Sequence, residues 1–548
     1  MVSQEIITST RPRRTPNGRN EPKSDASNSA HMPLRALAVA APDRVAGRKS
    51  SLTLDSSDPA SLFNACRIAA ERTLSGNSAW ARSNWAGGRK EVRKHFALLY
   101  SQDDLQHFTE MLTRVRPNLL LIGAMTLCMP GAVECARRAR ELLGDEVLIV
   151  LGGRHATETI YLSSSRKRTP DSIIHHSASP VLLARQGRIS GLFDVVVSGE
   201  SEHLIAEVGE IVARCQGPCD ARSIFCNLPP ETPGDWILST ADPNRELVSS
   251  GVPIDRNLLP PLAPLFGVSA AFDVFEGRRT AHVFSDTGPG CVYNCSFCSE
   301  RSAITGRLAD LENAPKRLYR QLAEAAKVIS EDSPGFGASA FVEDSVLLGG
   351  SPRSIDLFCD LLEANPIAIH FGAQLTIDQI LRRETQIARL ASVGLKYLFI
   401  GLETLDPDEI GGMSKDLGTS HGTWHLRFRK ALDILDRCGI ACGCALLFGL
   451  GEAHASRMAL LDAVTAERGK RGNPVALSAN WAVQHPLRGQ MGDPGLDYLR
   501  WGTPPGPMLD LFHNFGEAST EYCIAGTTPP ILEEVEEICQ ALEKFGTR

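Results

Sequence analysis

Apolar residues along this chain fall into two successive series of short blocks, and each series predicts a parallel sheet. Continuous apolar runs occur at 34–40, 118–123 (NLLLIG), 146–151 (EVLIVL) and 193–197 (FDVVV). Such runs suit strands buried on both faces. Between the second and third, Val133, Ala136, Ala139 and Leu143 recur at helical spacing, and Gly144 stands where that helix should end. The alternation predicts a doubly wound, Rossmann-like domain over 33–214, with its ligand crevice at the strand C-termini. The loops there read Gly152-Gly153-Arg154-His155-Ala156-Thr157 and Ser198-Gly199-Glu200-Ser201-Glu202.

Residues 215–280 are Pro-rich, with Pro229-Pro230 and Pro260-Pro261, and read as a linker. Six more strand candidates follow at 281–285, 339–343, 368–372, 397–401, 442–448 and 476–481. Helical periodicity separates them, as in Leu318, Leu322, Ala325 and Ile329. The α/β pattern predicts a partial (β/α)6 barrel over 281–482, its site at the strand C-terminal end. Residues 483–548 form a small C-terminal region whose last helix carries Leu532, Val535, Ile538 and Leu542. Residues 1–32, rich in Arg, Ser, Asn and Pro, are expected to be disordered, and Met32 is an alternative start.

Composition narrows the functional classes. A chain of 548 residues exceeds one ordinary core. Its net charge of −7, with acids and bases interspersed, speaks against a nucleic-acid partner. The longest apolar stretch, 118–133, is broken by Pro130 and is too short to span a membrane; no apolar leader stands at the N-terminus. Fifteen cysteines in such a chain read as thiols, metal ligands or small buried hydrophobes, and a reducing cytoplasm is the expected location.

The cysteines carry the strongest chemical signal. After the first strand of the second series the chain reads Asp286-Thr-Gly-Pro-Gly-Cys291-Val-Tyr-Asn-Cys295-Ser-Phe-Cys298. Three thiolates within eight residues can turn onto one metal centre, and the glycines let the backbone curl around it. Iron–sulfur clusters normally take four cysteines, so three leave one iron open to an exchangeable ligand. The alternatives are a three-cysteine zinc site with a distant fourth ligand, or chance clustering.

This triplet, with Phe297 before its last cysteine, resembles the signature of the radical S-adenosylmethionine (SAM) superfamily. The resemblance implies a 4Fe–4S cluster on Cys291, Cys295 and Cys298, with SAM chelated to the open iron. One electron from the cluster then cleaves the sulfonium to a 5′-deoxyadenosyl radical, and an external one-electron reductant of flavodoxin or ferredoxin type is implied. It extends through Glu343-Asp344, Gly401-Leu-Glu403-Thr404, Met413-Ser414-Lys415 and Phe448-Gly449-Leu450-Gly451-Glu452. Phe297, Glu343, Glu403 and Gly449 are the implied SAM contacts. The alternative for each carboxylate is a capping or solvated side chain. At Gln374 some relatives carry arginine, and a substrate role is open there.

The N-terminal half resembles the cobalamin-binding domain that precedes the barrel in one branch of that superfamily. The implied cobalamin contacts are Thr126, Gly152, Gly153, His155, Thr157, Ser198, Gly199 and Glu200. The plain alternative is a Rossmann-like sheet with ordinary turn glycines. The string Asp-x-His-x-x-Gly that supplies a cobalt-ligating histidine elsewhere is absent, so His155 is expected to be a tail or loop contact. Together the two halves imply a methyltransferase that passes a methyl group from SAM through methylcobalamin to a small-molecule substrate. The acceptor is an unactivated carbon or a phosphinate phosphorus, as in antibiotic biosynthesis. A cobalamin-dependent radical SAM oxidative cyclase or ring-rearranging enzyme without methyl transfer, and a non-catalytic cobalamin or redox sensor, remain the other readings. Arg488 is the candidate for a substrate carboxylate or phosphinate, with a surface arginine as the alternative. Cys215, Cys219 and Cys226 are expected to be free thiols, and Cys438, Cys442 and Cys444 to lie in the core.

Overall fold

The computed structural model describes residues 34–43, 93–99, 101–164, 167–259, 261, 263, 275–288, 290–305, 308, 310–404, 410, 412–418, 420, 422–486, 488–489, 496–502 and 521–546. The expected disorder of 1–32 and the start at Met32 lie outside these residues.

The first series of apolar runs forms β1 (Arg35–Ala40), β3 (Leu119–Gly123), β4 (Leu148–Gly152) and β7 (Val195–Gly199), with β2 (Arg93–Leu98) beside β1. These five strands are parallel in the order β2-β1-β3-β4-β7. Alternate side chains go to opposite faces. Leu37, Val39, Leu120, Ile122, Ile149 and Leu151 pack with Phe108, Leu112, Ala132, Ala136 and Ala139 of the helices Leu105–Val115 and Met129–Leu143. Ala36, Ala38, Leu119, Leu121, Leu148 and Val150 pack with Leu204, Val208 and Ile211 of the helix Glu202–Arg214. Both faces are dry, which is why the runs carry no polar alternation. Gly144 caps the second helix at φ 53°.

The Pro-rich stretch is more ordered than a linker. After a short antiparallel pair, β5 (Ile160–Leu162) and β6 (Ile173–His175), and after β7, it supplies the helix Ala221–Asn227 and the hairpin β8 (Trp236–Thr240) and β9 (Arg245–Val248). β8 pairs antiparallel with β7, so the N-terminal sheet grows to seven strands. Pro229, Pro230 and Pro233 sit between the helix and β8 and Pro243 between β8 and β9, and every residue of β8 is buried.

The second series forms β10 (Arg278–Val283), β11 (Gly337–Val342), β12 (Ile369–Gln374), β13 (Leu395–Glu403), β14 (Ala441–Phe448) and β15 (Ala476–Trp481), all parallel and in sequence order. The sheet curls into a half-barrel. Val283, Val342, Phe371, Ile400 and Leu446 pack outward with Leu318, Leu322, Ala325 and Ile329 of the helix Ala314–Asp332 and with Phe358. By alternation His282, Phe341, Gln374 and Tyr397 face inward. Phe275, Phe341 and Tyr397 fill the interior as a separate aromatic cluster, and polar groups stand nearer the strand C-termini. The final helix, Leu532–Gly546, buries Val535, Ile538 and Leu542, and Arg468 lies 4.3 Å over its Phe545 ring.

Candidate functional site

The loop after β10 turns three thiols toward one region. Cys295 is buried, and Cys291 and Cys298 are half-buried. Each sulfur accepts a backbone N–H: Tyr293 N–H to Cys291 Sγ at 3.5 Å, Ser414 N–H to Cys295 Sγ at 3.3 Å and Glu300 N–H to Cys298 Sγ at 3.4 Å. A neutral thiol accepts such bonds weakly and a thiolate strongly, so the backbone is arranged for charge on sulfur. Burial acts the other way, raising the Cys291 thiol and pushing Cys298 to about 12. Metal binding must therefore displace the protons. Among the described residues no three His, Cys, Asp or Glu side chains gather as one metal ion requires. A four-iron cluster asks instead for single thiolates on separate irons, and the donor set fits that need.

Around the barrel mouth stand the residues expected to hold SAM. Glu343 Oε1 lies 2.5 Å from His282 Nδ1, and His282 Nε2 is buried without a partner. The neighbouring Asp344 is turned away from the mouth. It accepts Ser285 N–H at 2.9 Å and Leu348 N–H at 3.2 Å, and burial raises its carboxyl to about 6. Glu403 adopts φ 52° and takes the Lys415 ammonium at 2.8 Å on Oε1, leaving Oε2 buried and unpartnered. Gly449 has φ 79°, and a Cβ there would strike the Trp481 indole. The loop is held by the Glu452 carboxylate, which accepts Gly449 N–H at 2.7 Å and Leu450 N–H at 2.8 Å. Phe297 packs at the rim of the core, and Gln374 is half-buried at the end of β12.

At the N-terminal sheet the cobalamin candidates divide into two groups. Gly152, Gly153, Thr157, Gly199 and Glu200 are partly or fully exposed at the C-terminal edge. Gly123, which the sequence reading passed over, pairs with Gly152 across β3 and β4. A Cβ at Gly123 would meet Val39 O at 3.7 Å and one at Gly152 would meet Val197 O at 3.8 Å, ordinary contacts. Packing therefore does not demand glycine at either position; its absence of side chain leaves the edge open to a bulky ligand. Gly153 differs, since φ 97° and the Ala124 backbone at 2.6 Å both require glycine.

Thr126, His155 and Ser198 form the second group and are buried. Ser198 Oγ donates to Ile160 O at 2.6 Å. His155 is fully buried, with Nε2 3.1 Å from Ala178 O and Nδ1 3.1 Å from Thr126 Oγ1, so neither nitrogen is open to a ligand in this conformation. Thr126 Oγ1 also lies 2.9 Å from Glu158 Oε2, and its one proton serves one partner at a time. Arg488 does not reach toward the barrel mouth as a free cation. It donates to Thr157 O at 3.1 Å and lies 4.9 Å over the Tyr161 ring.

A polar seam missed in the sequence joins the two halves. Glu158 is fully buried, with His485 Nδ1 3.6 Å from Oε2. Burial would raise its carboxyl, but His485 and Thr126 outweigh that and hold it low. Arg301 donates to Cys298 O at 2.7 Å and to Pro486 O at 2.9 Å, and Arg154 pairs with Glu300. The segment after β15 thus touches both the cysteine loop and the helix Arg154–Thr159 beside Gly153.

Burial also lowers the His155 pKa from 6.5 to about 4. The unfolded chain binds that proton more readily, so the contribution is full above about pH 6.5 and lost as pH falls toward 4. It is on the order of 3 kcal/mol. Asp344 and Asp416, raised by burial to about 6 and about 7, act with the opposite sign and lose stability as pH rises. The difference in urea stability between the wild type and His155→Asn is therefore the informative quantity. It should shrink between pH 6.5 and pH 4; a constant difference would refute the assignment.

Cys442 and Cys444 are fully buried in the core, as expected, whereas Cys438 is half-buried against it; Cys219 is buried, Cys215 half-buried and Cys226 exposed. No described helix is long and apolar enough to cross a membrane.

The two halves define an α/β architecture, a Rossmann-like sheet followed by a parallel half-barrel. No family model matches the chain, and no curated protein matches it. Among solved structures it is similar to the radical S-adenosylmethionine methyltransferase TsrM from Kitasatospora setae, bound to tryptophan substrate and the SAM analogue aza-SAM. That match has 14% identity, covers 83% of this chain and 75% of that one, and has a TM-score of 0.47. It is also similar to the cobalamin-dependent S-adenosylmethionine radical enzyme OxsB with aqua-cobalamin bound. There the identity is 12%, with 79% of this chain and 52% of that one covered and a TM-score of 0.45. The chain thus spans about half the length of OxsB.

Proposed function

We propose that this chain is a cobalamin-dependent radical SAM methyltransferase acting on a small-molecule substrate. The observation that carries the reading is the cysteine loop, where three thiols at the mouth of a parallel half-barrel each accept a backbone N–H. When bound, the 4Fe–4S cluster supplies single electrons for SAM cleavage and cobalamin supplies a methyl carrier. The chain's own part is placement. Cys291, Cys295 and Cys298 hold the iron, and the unpartnered Glu403 Oε2 and His282 Nε2 offer an acceptor and a second polar contact beside it. Gly449, with no side chain, leaves the Trp481 flank close to the adenosyl side of the mouth. Gly123 and Gly152 open the sheet edge to the corrin. The seam through Glu158, His485 and Arg301 ties the cysteine loop and the segment after β15 to the N-terminal half. An external one-electron reductant of flavodoxin or ferredoxin type feeds the cluster. The acceptor is an unactivated carbon or a phosphinate phosphorus of a natural-product intermediate.

Anaerobic reconstitution with iron, sulfide and hydroxocobalamin tests this. The expected result is about four irons and one cobalamin per chain. Methylated product with S-adenosylhomocysteine should follow on a suitable acceptor. Iron without cobalamin would keep the radical enzyme and discard the methyltransferase, and SAM bound but never consumed would favour a sensor.

A further inference from the structure

Cys295 is served differently from its two partners. The N–H bonds to Cys291 and Cys298 come from residues two positions further along the same loop. The bond to Cys295 comes from Ser414, 119 residues away. Ser414 also brings its hydroxyl to 3.6 Å from Cys295 Sγ. That hydroxyl oxygen accepts Asn294 N–H at 2.6 Å, which leaves its own proton free to donate. A thiolate has no proton, so in the contact between an ionised Cys295 and the Ser414 hydroxyl the hydroxyl is the donor, beside the backbone N–H of the same residue.

The segment around Ser414 is built to stay in place. Gly412 O accepts Ser296 N–H at 2.8 Å, and a Cβ at Gly412 would run into the Ser296 side chain. Next along the chain, Lys415 is anchored on Glu403 Oε1 at 2.8 Å and Gly401 O at 3.2 Å. Its charge acts on the Cys291 thiol in the direction of the thiolate. One short stretch therefore aims two hydrogen bonds at one sulfur and keeps a cation nearby.

We infer that Ser414 is a positioning residue that sets the reduction potential of the cluster through the sulfur of Cys295. Hydrogen bonds to a ligating sulfur draw electron density from the iron and make reduction easier. The inference rests on the cluster reading above.

The test is a potentiometric titration of the reconstituted full-length chain, followed by electron paramagnetic resonance, for the wild type, Ser414→Ala and Ser414→Thr. The alanine variant should keep its iron and sulfide while its midpoint moves to more negative potential. A reduced-to-oxidised ratio lowered about tenfold at fixed poise, about 59 mV for one electron, is the expected size. Threonine keeps the hydroxyl and should return the midpoint toward the wild type. An unmoved midpoint in the alanine variant would overturn the inference and leave the cluster reading standing. Iron loss in that variant would also overturn it, because Ser414 would then be a prop for the loop. A wild-type chain that takes up no cluster would sink the functional reading and this inference together.

Discussion

Replacing Cys291, Cys295 and Cys298 together by alanine is expected to remove the iron and the broad visible absorption of the reconstituted protein, with the fold retained. The retention follows from how these residues are placed. A free cysteine packs as a small hydrophobe, and alanine at a half-buried loop position leaves little empty space. Cys295, the buried member, loses two hydrogen bonds from Ser414, yet Gly412 O still holds Ser296 N–H, so the loop keeps an anchor of its own. Circular dichroism and the cobalamin content should stay near the wild type. Single replacements should each lower iron retention by tenfold or more, since each removes one of three anchors, equivalent to about 1.4 kcal/mol or more. Cys442→Ala serves as the control, because Cys442 lies on β14 in the core, where its sulfur meets Gly443 O at 3.6 Å and Cys444 Sγ at 3.9 Å and none of the three loop cysteines. Its iron content should not change. A triple variant that keeps four irons per chain would end the cluster assignment.

The residues that were legible from sequence were those whose chemistry is local. Continuous apolar runs marked β3, β4 and β7 because both faces of these strands are covered by helices. The six strands of the half-barrel were found to within a few residues, because their outward residues are apolar and pack on the surrounding helices. The cysteine loop was legible because its three cysteines lie within eight residues of one another. What was missed depends on pairings that spacing does not encode. The hairpin of β8 and β9 was read as linker because prolines around it masked a buried five-residue strand; the Asp242-Pro243-Asn244 turn between two short runs was the available signal. His155 was read in a loop but lies in the helix Arg154–Thr159 that follows Gly153, and its direction is set by Thr126 and Ala178, which belong to other segments. Glu158 and His485 are 327 residues apart and meet only because the chain after β15 crosses back to the first domain. The pairing of Gly123 with Gly152 needs the register of β3 against β4.

That register yields the second large effect, on cobalamin. Gly152→Val should weaken cobalamin retention by at least about tenfold, roughly 1.4 kcal/mol, while iron content and thermal stability stay near the wild type. The reasoning turns on what a side chain would meet. Among the described residues a Cβ at Gly152 meets only Val197 O, at 3.8 Å, and valine suits a strand end, so these contacts give no reason for loss. Loss there would report the ligand that the open edge admits. Gly153→Ala is the contrast. Its φ of 97° and the Ala124 backbone at 2.6 Å oppose any side chain, so it should lower stability as well as cobalamin content. Gly123→Ala, with its Cβ 3.7 Å from Val39 O, should behave as Gly152→Val does but more mildly, because only one methyl enters the edge. Equilibrium dialysis with hydroxocobalamin, run beside thermal melts on the same preparations, separates the cases. Unchanged cobalamin binding in Gly152→Val would remove the edge of β3 and β4 from the corrin site and leave the N-terminal sheet as a scaffold for the barrel. Parallel losses of binding and stability in all three variants would mean that these glycines serve the fold alone.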